Sequence, residues 1–522
     1  MQRGLLVHAS QFEDLLAVLP TLKVQNSFAR IFTHSGFWKQ AERIEEARFE
    51  WTRKKYGNNH HDTLTSMADL AHTYWSLGKF NAAEQLEEEV LSLRKKVLGD
   101  SHPDTLTSMG NLANTYRSLG KFNATEQLEE EVLSLSKKVL GDNHPDTLTS
   151  MANLAITYRS LGKFNAAEQL QEEVLSLCKK VLGDNHPDTL TSMANLANAY
   201  WSLGKFNAAE QLQEEVLSLS KKVLGDNHPD TLISKGNLAI TYSSLGKFNA
   251  AEQLEEEVLS LSKKVLGDNH PRTLTSMANL ANTYSSLGKF NAAEQLQEEV
   301  LSLRKKVLGD NHPRTLTSMA NLANTYRLLG KFHAAEQLEE KVLSLHKKVL
   351  GENHPDTLTS MANLANTYWS LGKFNTAEQL QEEVLSLHKK VLGDSHPDTL
   401  TSMANLAYTY SSLGKSNAAE QLQEEVLSWS KKLLGDSHPD TLISMANLAD
   451  TYWSLGKFNA AEQHQEEVLS LHKTVLGHNH PDTLTSMANL ASTYRSLGKF
   501  NAAKQLEEEV LALQKEVPGD NH

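Results

Sequence analysis

Apolar and polar positions follow a helical period along this chain, and the pattern returns every 42 residues. From Gly57 onward, Met67, Leu70, Ala71, Tyr74 and Leu77 fall on one stripe, the spacing of an amphipathic helix. Leu77-Gly78-Lys79 breaks the stripe, and Gly78 supplies a turn. A second stripe runs through Phe80, Ala83, Leu86, Val90, Leu93 and Val97. Asn81 and Glu84 have the spacing of a capping pair for that helix. Leu98-Gly99-Asp100-Ser101-His102-Pro103 closes the unit. Pro103 suits the first turn of the next helix, where a missing N–H costs nothing, and Asp104 suits its positive end. One unit therefore predicts a helical hairpin. Strand signals are absent.

The unit at 183–224 is a clean copy, and eleven copies occupy 57–518 without a register slip. Eleven hairpins predict 22 helices. Each leaves an apolar face for its neighbour to cover, so the stack is the fold. Residues 1–56 diverge, yet Gly36-Phe37-Trp38-Lys39-Gln40-Ala41-Glu42 still reads as a turn entering a helix, which makes 1–56 a cap with a degenerate repeat. Lys504, Gln514, Glu516 and Pro518 make the last helix more polar. Residues 519–522 are the start of a twelfth unit, as in a fragment of a longer array. In the fifth copy Lys235-Gly236 replaces the usual Met-Ala. A lysine on the apolar stripe must snorkel outward or lose hydration, and this junction is expected to be the weakest.

A net charge of −13 argues against nucleic acid or an anionic membrane as partner, since either needs a basic face. One cysteine, Cys178, excludes an internal disulfide framework and suits a reducing, cytoplasmic setting. No apolar run is long enough to span a bilayer.

The spacing Met67-x-x-Leu70-Ala71-x-x-Tyr74, then Gly78-x-Phe80 and Ala83, resembles the tetratricopeptide repeat. The added length and the Leu-Gly-Asp-Asn-His-Pro junction are similar to the 42-residue subtype of kinesin light chains. The Thr-Leu-Thr-Ser-Met wording with near-identical copies most resembles the arrays of fungal receptors that carry a nucleotide-binding domain. The resemblance implies an all-α α-solenoid, a right-handed superhelix of helical hairpins whose concave groove holds a protein or peptide. Kinesin light chains carry a heptad coiled coil before fewer repeats, and 1–56 has no such heptads. They also place Asn-Asn before Leu-Ala, where this chain has Ala68, Gly110 or Ala152 in the first position.

Two columns of the first helix vary among the copies. One runs His72, Asn114, Ile156, Asn198, Ile240, Asn282, Asn324, Asn366, Tyr408, Asp450, Ser492. The other runs Trp75, Arg117, Arg159, Trp201, Ser243, Ser285, Arg327, Trp369, Ser411, Trp453, Arg495. In tetratricopeptide superhelices this flank lines the groove, so these residues form the candidate ligand surface. Drift at solvent-exposed sites is the alternative. Against it, Glu88 and Lys95 are also expected to be exposed, yet all eleven copies keep them. Trp and Arg also dominate binding hot spots, and four of the seven tryptophans stand in that one column. A third variable column, beginning at Arg94, falls near the second stripe with its face unassigned.

Other motifs carry no chemistry. Twelve of 22 histidines share one register, but one per unit with no partnering cysteine does not converge on a metal. Leu413-Gly414-Lys415-Ser416 lacks the first glycine of a phosphate loop, since Thr409 stands there. Glu87-Glu88-Glu89 reads as a solvated face. The expectation is a non-enzymatic binding scaffold with no metal, cofactor or small-molecule substrate. Its first reading is the sensor array of a fungal immune-type receptor; the alternative is a kinesin-light-chain-like cargo adaptor.

Overall fold

The computed structural model describes residues 22–34 and 36–516. Pro518 and the twelfth start at 519–522 lie outside the described residues, as do the side chains of Gln514 and Glu516. Two helices, Leu22–His34 and Trp38–Tyr56, precede the repeats and share a small core of Ala29, Phe32, Ala41 and Ile44. The repeats then supply 22 more, beginning with His61–Ser76 and Phe80–Leu98. Among the described residues there is no strand.

Both turns of a repeat depend on a glycine with positive φ. Gly78 (φ 70) turns the hairpin, and Gly99 (φ 90) ends the second helix, a conformation that costs a side chain too much. The next helix opens on His102, whose Nδ1 accepts the Asp104 N–H at 3.1 Å, with Pro103 in the first turn. The second helix differs from expectation. It begins at Phe80 with Lys79 as its cap residue and no side-chain cap bond. Asn81 and Glu84 are thus not a capping pair; Glu84 instead receives the ammonium of Lys121 from the next hairpin.

Contacts group the chain into two compact units. One holds the described residues up to Thr157 with Leu266–Thr275 and Val300–Thr317; the other holds Tyr158–Val265, Ser276–Glu299 and the described residues from Ser318 onward. Within each, neighbouring hairpins share a core. Leu175 from one hairpin meets Leu190, Met193, Leu196 and Val216 of the next. Each buried leucine is worth about 1.5–3 kcal/mol, so junctions of this kind hold hairpins that could not stand alone.

A polar ladder reinforces the apolar one. Tyr116 donates its hydroxyl to Glu88 at 3.0 Å, and Lys121 lies 5.5 Å from the Tyr116 ring while pairing with Glu84. The same foursome recurs at Tyr242, Lys247, Glu214 and Glu210. Burial, then the Glu88 carboxylate, pushes the Tyr116 phenol up to about 12. Lys95 reaches Glu131 at 3.3 Å. The constancy of Glu88 and Lys95 therefore has a structural cause, since both hold the next hairpin. It is no measure of how fast an idle exposed site would drift.

Candidate ligand-binding face

All 22 candidate residues lie on first helices. Position in the hairpin explains their mixed exposure. The His72 column projects away from the Leu70 stripe, and Tyr408 is 58% exposed there. The Trp75 column sits at the hairpin-turn end and reaches the following repeat. Trp75 donates its indole N–H to Ser118 at 2.8 Å, Trp201 to Ser244 at 2.9 Å and Trp369 to Ser412 at 2.8 Å. Trp453 packs on Phe458 with centroids 6.2 Å apart. The two columns also meet sideways: Tyr408 lies 4.9 Å from the Trp369 ring, and His72 stacks on Trp75 at 6.0 Å.

The arginines of the second column have partners inside the molecule. Arg117 pairs with Glu129 at 3.6 Å and bonds to Asn114. Arg327 donates to Asn324 at 2.7 Å, and Arg495 pairs with Glu507 at 2.7 Å. Arg159 occupies the same register. The serines of the column are small enough to leave space. At Ser243 an open cavity of about 430 Å³ lies between two first helices, lined by Ile240, Ser243, Asn279 and Asn282 with Glu255 below.

Glu255 shares the register of Glu87, a column whose charge pattern predicts a solvated face. Its register alternates Glu and Gln, from Glu87 and Glu129 to Gln171 and Gln213, whereas the next register stays Glu. That difference was the available signal. The structure buries these residues: Glu87 is 6% exposed, Glu129 3% and Glu255 1%. Burial pushes the Glu255 carboxyl up to about 8, against a partial opposing pull from Asn279. Its Oε2 has no hydrogen-bond partner. Glu87 and Glu339 are raised to about 7, first by burial. A buried carboxylic acid that holds its proton can donate a hydrogen bond into the cavity above it.

The Arg94 column also proves buried from Arg94 to His472, under the next hairpin. Arg94 donates to the Asp104 carbonyl and Ser108, while His346 and His388 each bond the equivalent serine at 2.7 Å. Where the column holds Ser136, a cavity of about 300 Å³ opens beside Gly110, Glu129 and Val132. Cys178 is 4% exposed in this column, and burial raises its thiol, which disfavours the reactive thiolate.

Lys235 does not snorkel to solvent but stays desolvated and ion-paired. Its side chain is fully buried, and its ammonium meets half-exposed Glu257 at 2.7 Å. Among the described residues, no group of three or more His, Cys, Asp or Glu is placed to hold a metal ion, and no helix is long and apolar enough to cross a membrane.

Tetratricopeptide-repeat profiles match 63–104, the run of copies from 189–230 to 357–398, and 400–433, with related profiles over 88–138, 104–180, 417–474 and 454–516. The chain belongs to the tetratricopeptide repeat family. Among solved structures it is similar to the nearly identical, kinesin light chain-type TPR-like repeats of Podosopora anserina, at 33% identity over 39% of this chain and 97% of that one (TM-score 0.36). BtubC (BKLC) from P. vanneervenii is 20% identical over 45% of this chain and 92% of that one (TM-score 0.36). A Rap protein complexed with competence and sporulation factor is 12% identical over 71% of this chain and 98% of that one (TM-score 0.46). No curated protein matches the chain. Repeats of this family form all-helical scaffolds typical of protein–protein interaction.

Proposed function

We propose that this chain captures an extended protein or peptide segment along the groove formed by its first helices, without chemistry of its own. The observation that carries the reading is the cavity where Ile240, Ser243 and Asn282, members of both variable columns, stand over the buried Glu255. Half-exposed tryptophans at Trp201 and Trp453 offer apolar anchors. The Asn column offers donors and acceptors to a backbone, and Arg495 is exposed enough to exchange Glu507 for a ligand carboxylate.

Within that class, the near-identical copies and their Thr-Leu-Thr-Ser-Met wording support the sensor array of a fungal immune-type receptor. The 42-residue period and Leu-Gly-Asp-Asn-His-Pro junction support the second reading, a kinesin-light-chain-like cargo adaptor. A pull-down with the wild-type chain against a variant carrying Ser at Trp75, Trp201, Trp369 and Trp453 tests capture. Equal recovery of every partner by both chains would overturn the groove. Copurifying kinesin heavy chain would favour the adaptor, and a nucleotide-binding module encoded in the same transcript would favour the receptor.

A further inference from the structure

Residues six repeats apart meet in a recurring way. In the first unit, His312 Nε2 lies 3.3 Å from the Ser76 carbonyl, and a Cβ added to Gly78 would fall 2.3 Å from the Pro313 ring. In the second unit, His396 reaches the Ser160 carbonyl at 3.1 Å and His438 reaches that of Ser202 at 3.2 Å. Gly162 and Gly204 likewise leave no room for a Cβ against Pro397 and Pro439. The chemistry of the imidazole is fixed by its other nitrogen. Nδ1 of His438 accepts the Asp440 N–H, so Nε2 carries the proton and donates to the carbonyl. The contact thus joins a hairpin turn, Ser-Leu-Gly-Lys, to a helix start, His-Pro-Asp-Thr-Leu in the second unit and His-Pro-Arg-Thr-Leu at His312.

Within the second unit, both halves of this contact also occur uncovered. The helix starts of repeats 4 and 5 leave His186 and His228 42% and 40% exposed, against 7% and 8% at His438 and His480. The hairpin turns of repeats 10 and 11 are bare too, since a Cβ on Gly456 or Gly498 would meet nothing within 4 Å. The sequences are the same as in the satisfied pairs: His186–Leu190 reads like His438–Leu442, and Ser454–Lys457 reads like Ser202–Lys205. Each bare edge is the complement of the other, and one chain leaves both open.

We propose that copies of this chain associate head to tail, the helix starts of repeats 4 and 5 of one copy seating on the hairpin turns of repeats 10 and 11 of another. The spacing of six repeats and the residue types are those the chain already uses on itself. Such a contact uses different patches on its two sides, so two copies do not close it and assembly continues into open chains. Each contact is small, a glycine against a proline with one hydrogen bond. Association is therefore reversible and follows concentration.

Sedimentation velocity of the full chain over a wide dilution series tests this. The wild type is expected to sediment faster as concentration rises. P187E/P229E blocks one edge, and Glu is well tolerated in a first helical turn. S454R/S496R crowds the other edge at exposed positions. Each variant alone is expected to stay monomeric with unchanged helicity and melting. Mixed together, they retain one good edge of each kind and are expected to form one-to-one dimers only. A wild type that is monomeric at every concentration, a blocked variant that associates like wild type, or a mixture that stays monomeric would each overturn the proposal.

Discussion

The Trp75 and Arg94 columns vary to a similar degree among the repeats, and the structure puts them in opposite environments. Trp201 is 40% exposed on the face of first helices, whereas Arg94 and Arg304 are 6% and 5% exposed beneath the following hairpin. Variation among copies therefore does not by itself mark a ligand surface. It is tolerated wherever the new side chain finds a partner, and a buried junction supplies partners as readily as solvent does. Arg94 takes a carbonyl and a serine, His388 takes a serine, and Ser136 leaves a cavity. What separates the columns is unspent surface. Only the Trp75 column keeps exposed aromatic area.

The largest effect should come from the exposed column. W201S/W369S is expected to weaken capture of a bound partner by about 2–4 kcal/mol in calorimetry while circular dichroism stays unchanged, because Ser already occupies this register at Ser243 and Ser285. Equal affinity would remove the distinction between the columns. The buried column should instead govern stability. Arg304 donates to the Arg314 carbonyl at 2.8 Å and to that of Leu274 at 3.4 Å. R304A should cost about 3 kcal/mol in denaturant unfolding, since it leaves buried carbonyls without their donor. Partner affinity should not change.

Glu255 sharpens the comparison through pH. Its carboxyl is raised from 4.5 to about 8 in the folded chain. Between those values the folded state keeps a proton that the unfolded state has lost, so this group's contribution is full below 4.5 and fades as pH rises through about 8. E255Q should remove that slope and stabilise the chain by about 1–2 kcal/mol near neutral pH. Gln is native to the register at Gln213 and Gln297. A variant with the wild-type pH profile would mean that Glu255 is ionised in the fold. The smallest effect is expected at Arg495, an exposed ion pair with Glu507. R495S should change stability by less than about 0.5 kcal/mol in the same unfolding measurement.

The helical hairpins, their 22 helices, the glycine turns and the His-Pro helix starts were legible because each depends on residues within one turn or one stripe. The candidate columns were also legible as register positions. The burial of the Glu87 column was not. Its position beside Glu88 on the helix suggested solvent, and only the neighbouring hairpin closes over it. Nor did constancy at Glu88 disclose its cause, because the Tyr116 hydroxyl that holds it comes from the next repeat.

By itself, then, the sequence determined the repeat unit, since hydrophobic period, cap and turn are local and nearly identical from copy to copy. The tertiary structure alone decided which near-identical copies differ in environment. His186 and His438 begin the same five residues, yet one is 42% exposed and the other 7%. The physical reason is distance along the chain. The Ser202 carbonyl that meets His438 lies 236 residues away. A near-identical repeat carries no local mark of whether a hairpin turn six repeats earlier stands against it.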